Sequence, residues 1–249
     1  MKLPDLSTVD LGFIDLSQLA YNPPGRGRLL LIGLLATVQI AIGAYLLGLT
    51  IGFLGALGKL YGSRPVKWFL EGYTTIVRAV PELVLILLVF YAGSGLVNEV
   101  LRNFGYRPID INALLAGIVV LGIVMGAYAT EVMRGAITAI PKGQLEAARA
   151  FGMSGRMTLR RIIAPAMMPL AIPGLSNLWL IVLKDTALLA VIGSIELATR
   201  TRQAGATTRE YLTFYLAALV LYLLLTLVSM YLIRHVERYF RRGLRGANT

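Results

Sequence analysis

From Leu29 to Gly58 the chain runs for 30 residues without a charged side chain. A helix needs only about 20 apolar residues to cross a bilayer. A second run, Ile111 to Thr130, holds 20 residues and again no charge. Such runs exceed what a water-soluble core needs, so the chain is expected to be an integral membrane protein. The composition agrees, at 57% hydrophobic and 15% charged. Soluble domains carry about 25% charged residues.

Further apolar stretches complete a five-span reading. Leu83 to Asn98 follows a polar connection, Lys59 to Arg78, whose second half is read as an amphipathic segment at the membrane surface. Ile162 to Leu183 forms span four, and Pro165, Pro169 and Pro173 predict irregular backbone in its early part. Tyr211 to Ile233 is span five. The expectation is one all-α, polytopic helical bundle. Two GxxxG pairs, Gly48 with Gly52 and Gly122 with Gly126, mark faces where backbones can approach closely. Residues 1–28 carry Asp5, Asp10 and Asp15 and no apolar run, which is not the pattern of a signal peptide.

Five spans put the termini on opposite sides. With the N-terminus outside, 15 Lys and Arg fall on inner segments and eight on outer ones. The positive-inside rule therefore predicts a periplasmic segment at 1–28 and a cytoplasmic basic tail at 239–249. The net charge of +11 is thereby explained without nucleic acid. There is no cysteine and a single histidine, His235, so thiolate and histidine-cluster metal sites are excluded, and metal ligands are expected to be none.

The same orientation places Gln144 to Pro165 in the cytoplasm. Gln144 to Phe151 has helix-forming composition. Gly152 is placed to stop that helix, and Ser154 to cap a second one over Gly155 to Ile163. In this second helix Met157 and Ile162 are expected to face inward and Arg156, Arg160 and Arg161 outward.

Glu146, Ala147, Ala148, Gly152, Ile162 and Pro165 have the spacing E-A-A-x3-G-x9-I-x-x-P. The stretch resembles the EAA signature of membrane subunits of ABC importers. Gly126 to Ile137 and Ile140 to Met153 are similar to polar amino-acid importer permeases. Thr74 to Tyr91 resembles the branch that takes up histidine, lysine, arginine, ornithine and opines. The resemblance covers about 29–238 and implies the type I (MetI-like) permease fold.

It also implies a second permease subunit, either a paralogue or another copy of this chain. It implies a dimeric cytoplasmic ATPase docked on the EAA loop and a periplasmic substrate-binding protein. Glu146 is the expected docking residue, with Ala147, Ala148, Gly152, Arg156, Ile162 and Pro165 in the same coupling element. ATP and Mg would sit on the partner ATPase, since this chain has no G-x-x-x-x-G-K-[ST] loop. No catalytic residue is expected.

Polar groups inside spans are candidates for a substrate pathway. They are Glu82, Tyr91, Glu131, Asn177, Asp185 and Thr186. Glu131 and Arg134 can also pair as i,i+3 neighbours, and Glu82 can pair with Arg78. In some relatives a carboxylate lies near Ser176 to Leu178. Leu178 stands there in this chain, which implies that selectivity rests partly on the partner subunit.

Two other functions compete with this reading. A membrane enzyme needs a clustered nucleophile, metal or acid–base set, and the isolated carboxylates do not form one. A stand-alone homo-oligomeric channel or secondary transporter would work without ATP; the chain lacks the inverted repeat common among secondary transporters.

Overall fold

The computed structural model describes residues 15–23 and 25–241. Most of the segment expected at 1–28, and the basic tail beyond 241, lie outside the described residues.

Nine α-helices occur among the described residues: α1 (Gly27–Tyr61), α2 (Arg64–Ala79), α3 (Glu82–Asn103), α4 (Ala113–Thr138), α5 (Lys142–Ala150), α6 (Gly155–Thr158), α7 (Ala164–Asp185), α8 (Leu197–Thr208) and α9 (Tyr211–Arg241). A π-turn, Leu159–Ile163, joins α6 to α7, and a 3-10 segment, Thr186–Ile192, continues α7. Five helical stretches are long and apolar enough to cross a membrane: α1, α3, α4, Gly155–Ile192 and α9. They coincide with the five charge-free runs. The helices extend further than those runs because charged residues such as Lys59 and Glu131 continue the same helix at its end.

The described chain packs as two compact units. One comprises residues up to 44, 83–121 and 182–227. Its core includes Leu30, Leu197, Ala204 and Phe214. Here the α8 N-terminus is closed by Glu196, whose carboxylate accepts from the Ala198 and Thr199 amides at 2.6 and 2.7 Å. The Thr199 hydroxyl donates to it at 2.9 Å and the Tyr222 hydroxyl at 3.4 Å. Burial pushes the Glu196 carboxyl up, and these donors pull in the opposite direction. Thr37 on α1 accepts from the Leu197 amide at 3.1 Å, which ties α1 to the same cap.

The other unit comprises residues 45–82, 122–181 and 228 onward. Its core joins Ala56 on α1, Ala129 and Met133 on α4, and Met167, Ala171 and Leu175 on α7. Here the two glycine pairs meet each other. A Cβ on Gly48 would lie 2.9 Å from Met125 Cβ and 3.4 Å from the Gly122 carbonyl oxygen. One on Gly52 would lie 2.5 Å from Ala129 Cβ. In return, Gly122 faces Leu47 and Gly126 faces Ile51. Both motifs are thus halves of one interface in which α1 and α4 run parallel.

The prolines behave differently from expectation. α7 is continuous from Ala164 to Asp185 with Pro169 and Pro173 inside it. The irregularity lies just upstream, where the Ala164 amide reaches back five residues to the Leu159 carbonyl. A proline ring crowds the carbonyl four residues before it. The wider π-turn makes room ahead of Pro165. Pro169 and Pro173 also leave the carbonyls of Pro165 and Pro169 without their usual amide donor.

Candidate functional site

The segment after α4 is a helix, a closed turn and a second capped helix. α5 ends where Gly152 turns left-handed at φ 68°. The Gly152 amide donates to the Arg149 carbonyl at 2.9 Å and the Met153 amide to the Ala148 carbonyl at 3.0 Å. These two bonds satisfy carbonyls that a helix end normally leaves open. Ser154 then caps α6, its hydroxyl accepting from the Met157 amide at 3.4 Å. A hydrogen-bonded turn therefore carries α5 into α6, and helical backbone continues into α7.

Side chains divide cleanly on this element. Ala148 is buried, and Glu146, Ala147, Arg149, Gly152, Arg156 and Pro165 are exposed. Ile162 is half-buried. The Glu146 carboxylate has no hydrogen-bond or ion-pair partner among the described residues, so it is free for a partner. Met157 is exposed rather than turned inward. The inward position is taken by Ile163, because the π-turn inserts one residue and shifts the register. Phe151, which the motif does not include, is 86% exposed. Sequence reasoning did not single it out; an aromatic residue directly before a helix-stopping glycine is the signal that could have found it.

An ion network joins the last turn of α1 to the middle of α2 and the C-terminal third of α4. Lys59, its side chain only 4% exposed, lies 2.6 Å from Glu131 and 2.7 Å from Glu71. It also donates to the Thr74 hydroxyl at 2.7 Å. The second oxygen of Glu131 is 2.8 Å from Arg134 and 3.9 Å from Arg78. The i,i+3 contact between Glu131 and Arg134 is present as the spacing suggests. The buried lysine is what sequence reasoning missed. With three cations around it, Glu131 is occupied by the fold.

The remaining pathway candidates are divided between the two units, Glu82, Asn177 and Leu178 in one and Tyr91, Asp185 and Thr186 in the other. The Glu82 carboxylate accepts from the Tyr128 hydroxyl at 3.2 Å, while Arg78 contacts Glu131 instead of Glu82. Asn177 is exposed, on the same face of α7 as Pro173. Leu178 points the other way, into the apolar core. In the other unit, Tyr91 is exposed and stacks edge-on against Phe90. Asp185 ends α7 half-buried. Thr186 is buried, its hydroxyl donating to the Leu183 carbonyl at 2.7 Å. No group of three or more metal-ligating side chains occurs among the described residues.

Comparison with known proteins adds to this geometry. Residues 44–242 match the family described as binding-protein-dependent transport system inner membrane component. The histidine/lysine/arginine/ornithine transport system permease protein HisQ of Escherichia coli K12 is 42% identical, over 90% of this chain and 98% of its own. The octopine transport system permease protein OccQ of Agrobacterium tumefaciens is 38% identical, over 93% and 98%. A crystal structure of an amino acid ABC transporter with histidines superposes with a TM-score of 0.74 at 31% identity. That match covers 93% of this chain and 99% of the solved one.

Proposed function

The chain belongs to the family of binding-protein-dependent transport system inner membrane components, and from that membership we propose how it works. It is a multi-pass permease subunit of an ABC importer, a transport component whose ATPase is a separate protein. The cargo is a cationic amino acid or opine, a reading supported by the names of its relatives. A second permease, paralogue or copy, completes the pathway, and a periplasmic binding protein delivers the cargo.

The N-terminus lies outside and the C-terminus inside, with the transmembrane domain over 29–238. Two copies of a cytoplasmic ATPase hold ATP and Mg. This chain holds neither. Its α5 docks on the ATPase through Glu146, flanked by Arg149, Phe151 and Arg156.

The observation that carries the proposal is the closed turn at Gly152. A coupling element must transmit displacement rather than absorb it. Here backbone bonds seal the turn, Ser154 caps the next helix, and no loop interrupts the path to α7. ATP-driven closure of the ATPase dimer would then move α5 and α7 together. Ala148 anchors the element from below, and Ile162 and Pro165 set the π-turn where it joins α7. Along the spans, Asn177, Tyr91, Asp185 and Glu82 are the groups offered to a passing solute. Leu178 and Thr186 contribute by packing, each within its own unit, and Glu131 braces α4 against α1.

Uptake by the assembled transporter in liposomes tests this. Labelled arginine, histidine or octopine should accumulate only with binding protein outside and ATP inside. Accumulation without ATP would favour the channel or secondary-transporter reading. Normal ATP-driven uptake by a Glu146→Ala, Gly152→Val variant would overturn the coupling assignment.

A further inference from the structure

α2 presents three faces to three surroundings. Leu70, Tyr73, Thr74 and Val77 point into their own unit. Leu70 lies against Gly58, the Tyr73 hydroxyl donates to the Ile123 carbonyl, and Thr74 and Val77 are buried. Arg64, Lys67, Glu71 and Arg78 form a second, exposed stripe. The third stripe is Pro65, Trp68, Phe69, Gly72, Ile76 and Ala79. At about 100° per residue these six positions fall within about 100° of arc.

That third stripe is apolar and uncovered. Trp68 is 82% exposed and Phe69 68%. A Cβ added to Gly72 would meet no atom within 4 Å. In water such a stripe would be costly. Yet both ends of α2 are tied to membrane-crossing helices, α1 ending at Tyr61 and α3 beginning at Glu82. The Lys59 contacts to Glu71 and Glu131 hold α2 level with the last turn of α1 and the C-terminal third of α4. α2 therefore lies at one face of the bilayer, the face from which α4 leads into α5.

An apolar stripe beside a basic stripe is the pattern of a helix lying in the headgroup layer. Tryptophan favours that layer. The charges say which headgroup suits it. Glu71 is engaged by Lys59, and Arg78 reaches Glu131. Arg64 and Lys67 have no ion-pair partner among the described residues, and they sit four and one positions before Trp68 on the helix.

We propose that α2 is a binding site for anionic phospholipid. Trp68 and Phe69 embed between the glycerol and upper acyl segments. Arg64 and Lys67 hold the phosphate of the anionic headgroup through charge-assisted hydrogen bonds. The proposal needs only that the chain spans a membrane, so it stands or falls apart from the cargo and the coupling assignment.

Tryptophan quenching by bromine-labelled lipid tests it in the full chain, assembled with its partner subunits in phosphatidylcholine vesicles. The Trp68 signal is the difference between the native transporter and its Trp68→Phe variant. Labelled phosphatidylglycerol should compete for contact with Trp68 more strongly than labelled phosphatidylcholine, by about fivefold for each of the two cations. In the Arg64→Gln, Lys67→Gln variant that preference should fall to near parity while quenching persists. Equal quenching of the native transporter by the two lipids overturns the headgroup assignment. Absence of quenching by either lipid means that protein covers the stripe, and overturns the proposal entirely.

Discussion

The ammonium of Lys59 lies 2.6 Å from the Glu131 carboxylate, joining the end of α1 to the C-terminal third of α4 across 72 positions of sequence. A lysine with 4% of its side chain exposed depends on its acidic partners. Lys59→Met removes the cation and leaves Glu131 with Arg134 and a distant Arg78. Because Glu131 keeps Arg134 and Glu71 is exposed, the expected loss is on the order of 1–2 kcal/mol, below the range for a buried charge left uncompensated. Thermal inactivation of the purified transporter reads it. Combining Lys59→Met with Glu131→Gln should cost less than the sum of the two single changes. Full additivity would show that the contact contributes nothing.

The α1–α4 interface makes a sharper test, because the chain supplies its own control. Gly52→Leu places a side chain where a Cβ alone would lie 2.5 Å from Ala129 Cβ and 2.9 Å from its carbonyl carbon. The backbones must separate, at a cost of about 1–3 kcal/mol or more. Gly93, on α3, has nothing within 4 Å of an added Cβ. Gly93→Ala should therefore leave yield and melting temperature near those of the native chain, while Gly52→Leu lowers both.

At Gly152 the constraint is conformational rather than steric. Its φ of 68° is unfavourable for a side chain, although no atom lies within 4 Å of an added Cβ. Gly152→Ala should cost about 1–2 kcal/mol at that turn, and Gly152→Asn less, since asparagine tolerates the left-handed region. The readout is ATPase stimulation by loaded binding protein, expected to fall in the order native, Asn, Ala. Gly143 lies on α5, the helix that precedes the turn, with open space around it and no positive φ, so Gly143→Ala should leave stimulation unchanged.

Much of this architecture was legible because a bilayer leaves few alternatives. Charge-free runs become spanning helices, and small residues four apart become a close contact, as Gly48, Gly52, Gly122 and Gly126 do. Gly152 and Ser154 were legible for a local reason, since helix ends need capping. What stayed hidden depends on rotation about the helix axis. Span four is apolar nearly all round, so no pattern told that Asn177 faces outward and Leu178 the core. The π-turn then shifted the face of Met157. Lys59 reads as an ordinary basic residue ending a span. Its burial follows only once α2 and α4 are folded against it.

Phe151 is the residue on the coupling element with most to gain from a partner. It is 86% exposed beside a sealed turn, its backbone amide donates to the Ala147 carbonyl, and no aromatic contact engages its ring among the described residues. Its removal should therefore leave the permease itself intact. Seating a phenyl ring in an apolar groove contributes about 2 kcal/mol, or roughly thirtyfold in affinity. Phe151→Ala should weaken capture of the ATPase by about that factor, at unchanged permease melting temperature. Phe151→Leu should restore part of the loss, because the groove would recognise volume and apolarity rather than the ring alone. Glu146→Gln should weaken capture with a different signature. Its contribution is charge-assisted, so the gap from the native chain should narrow as salt rises, whereas the gap for Phe151→Ala should persist. Capture that is indifferent to both changes would remove α5 as the docking element and send the search to the rest of the basic face, Arg149 to Arg161.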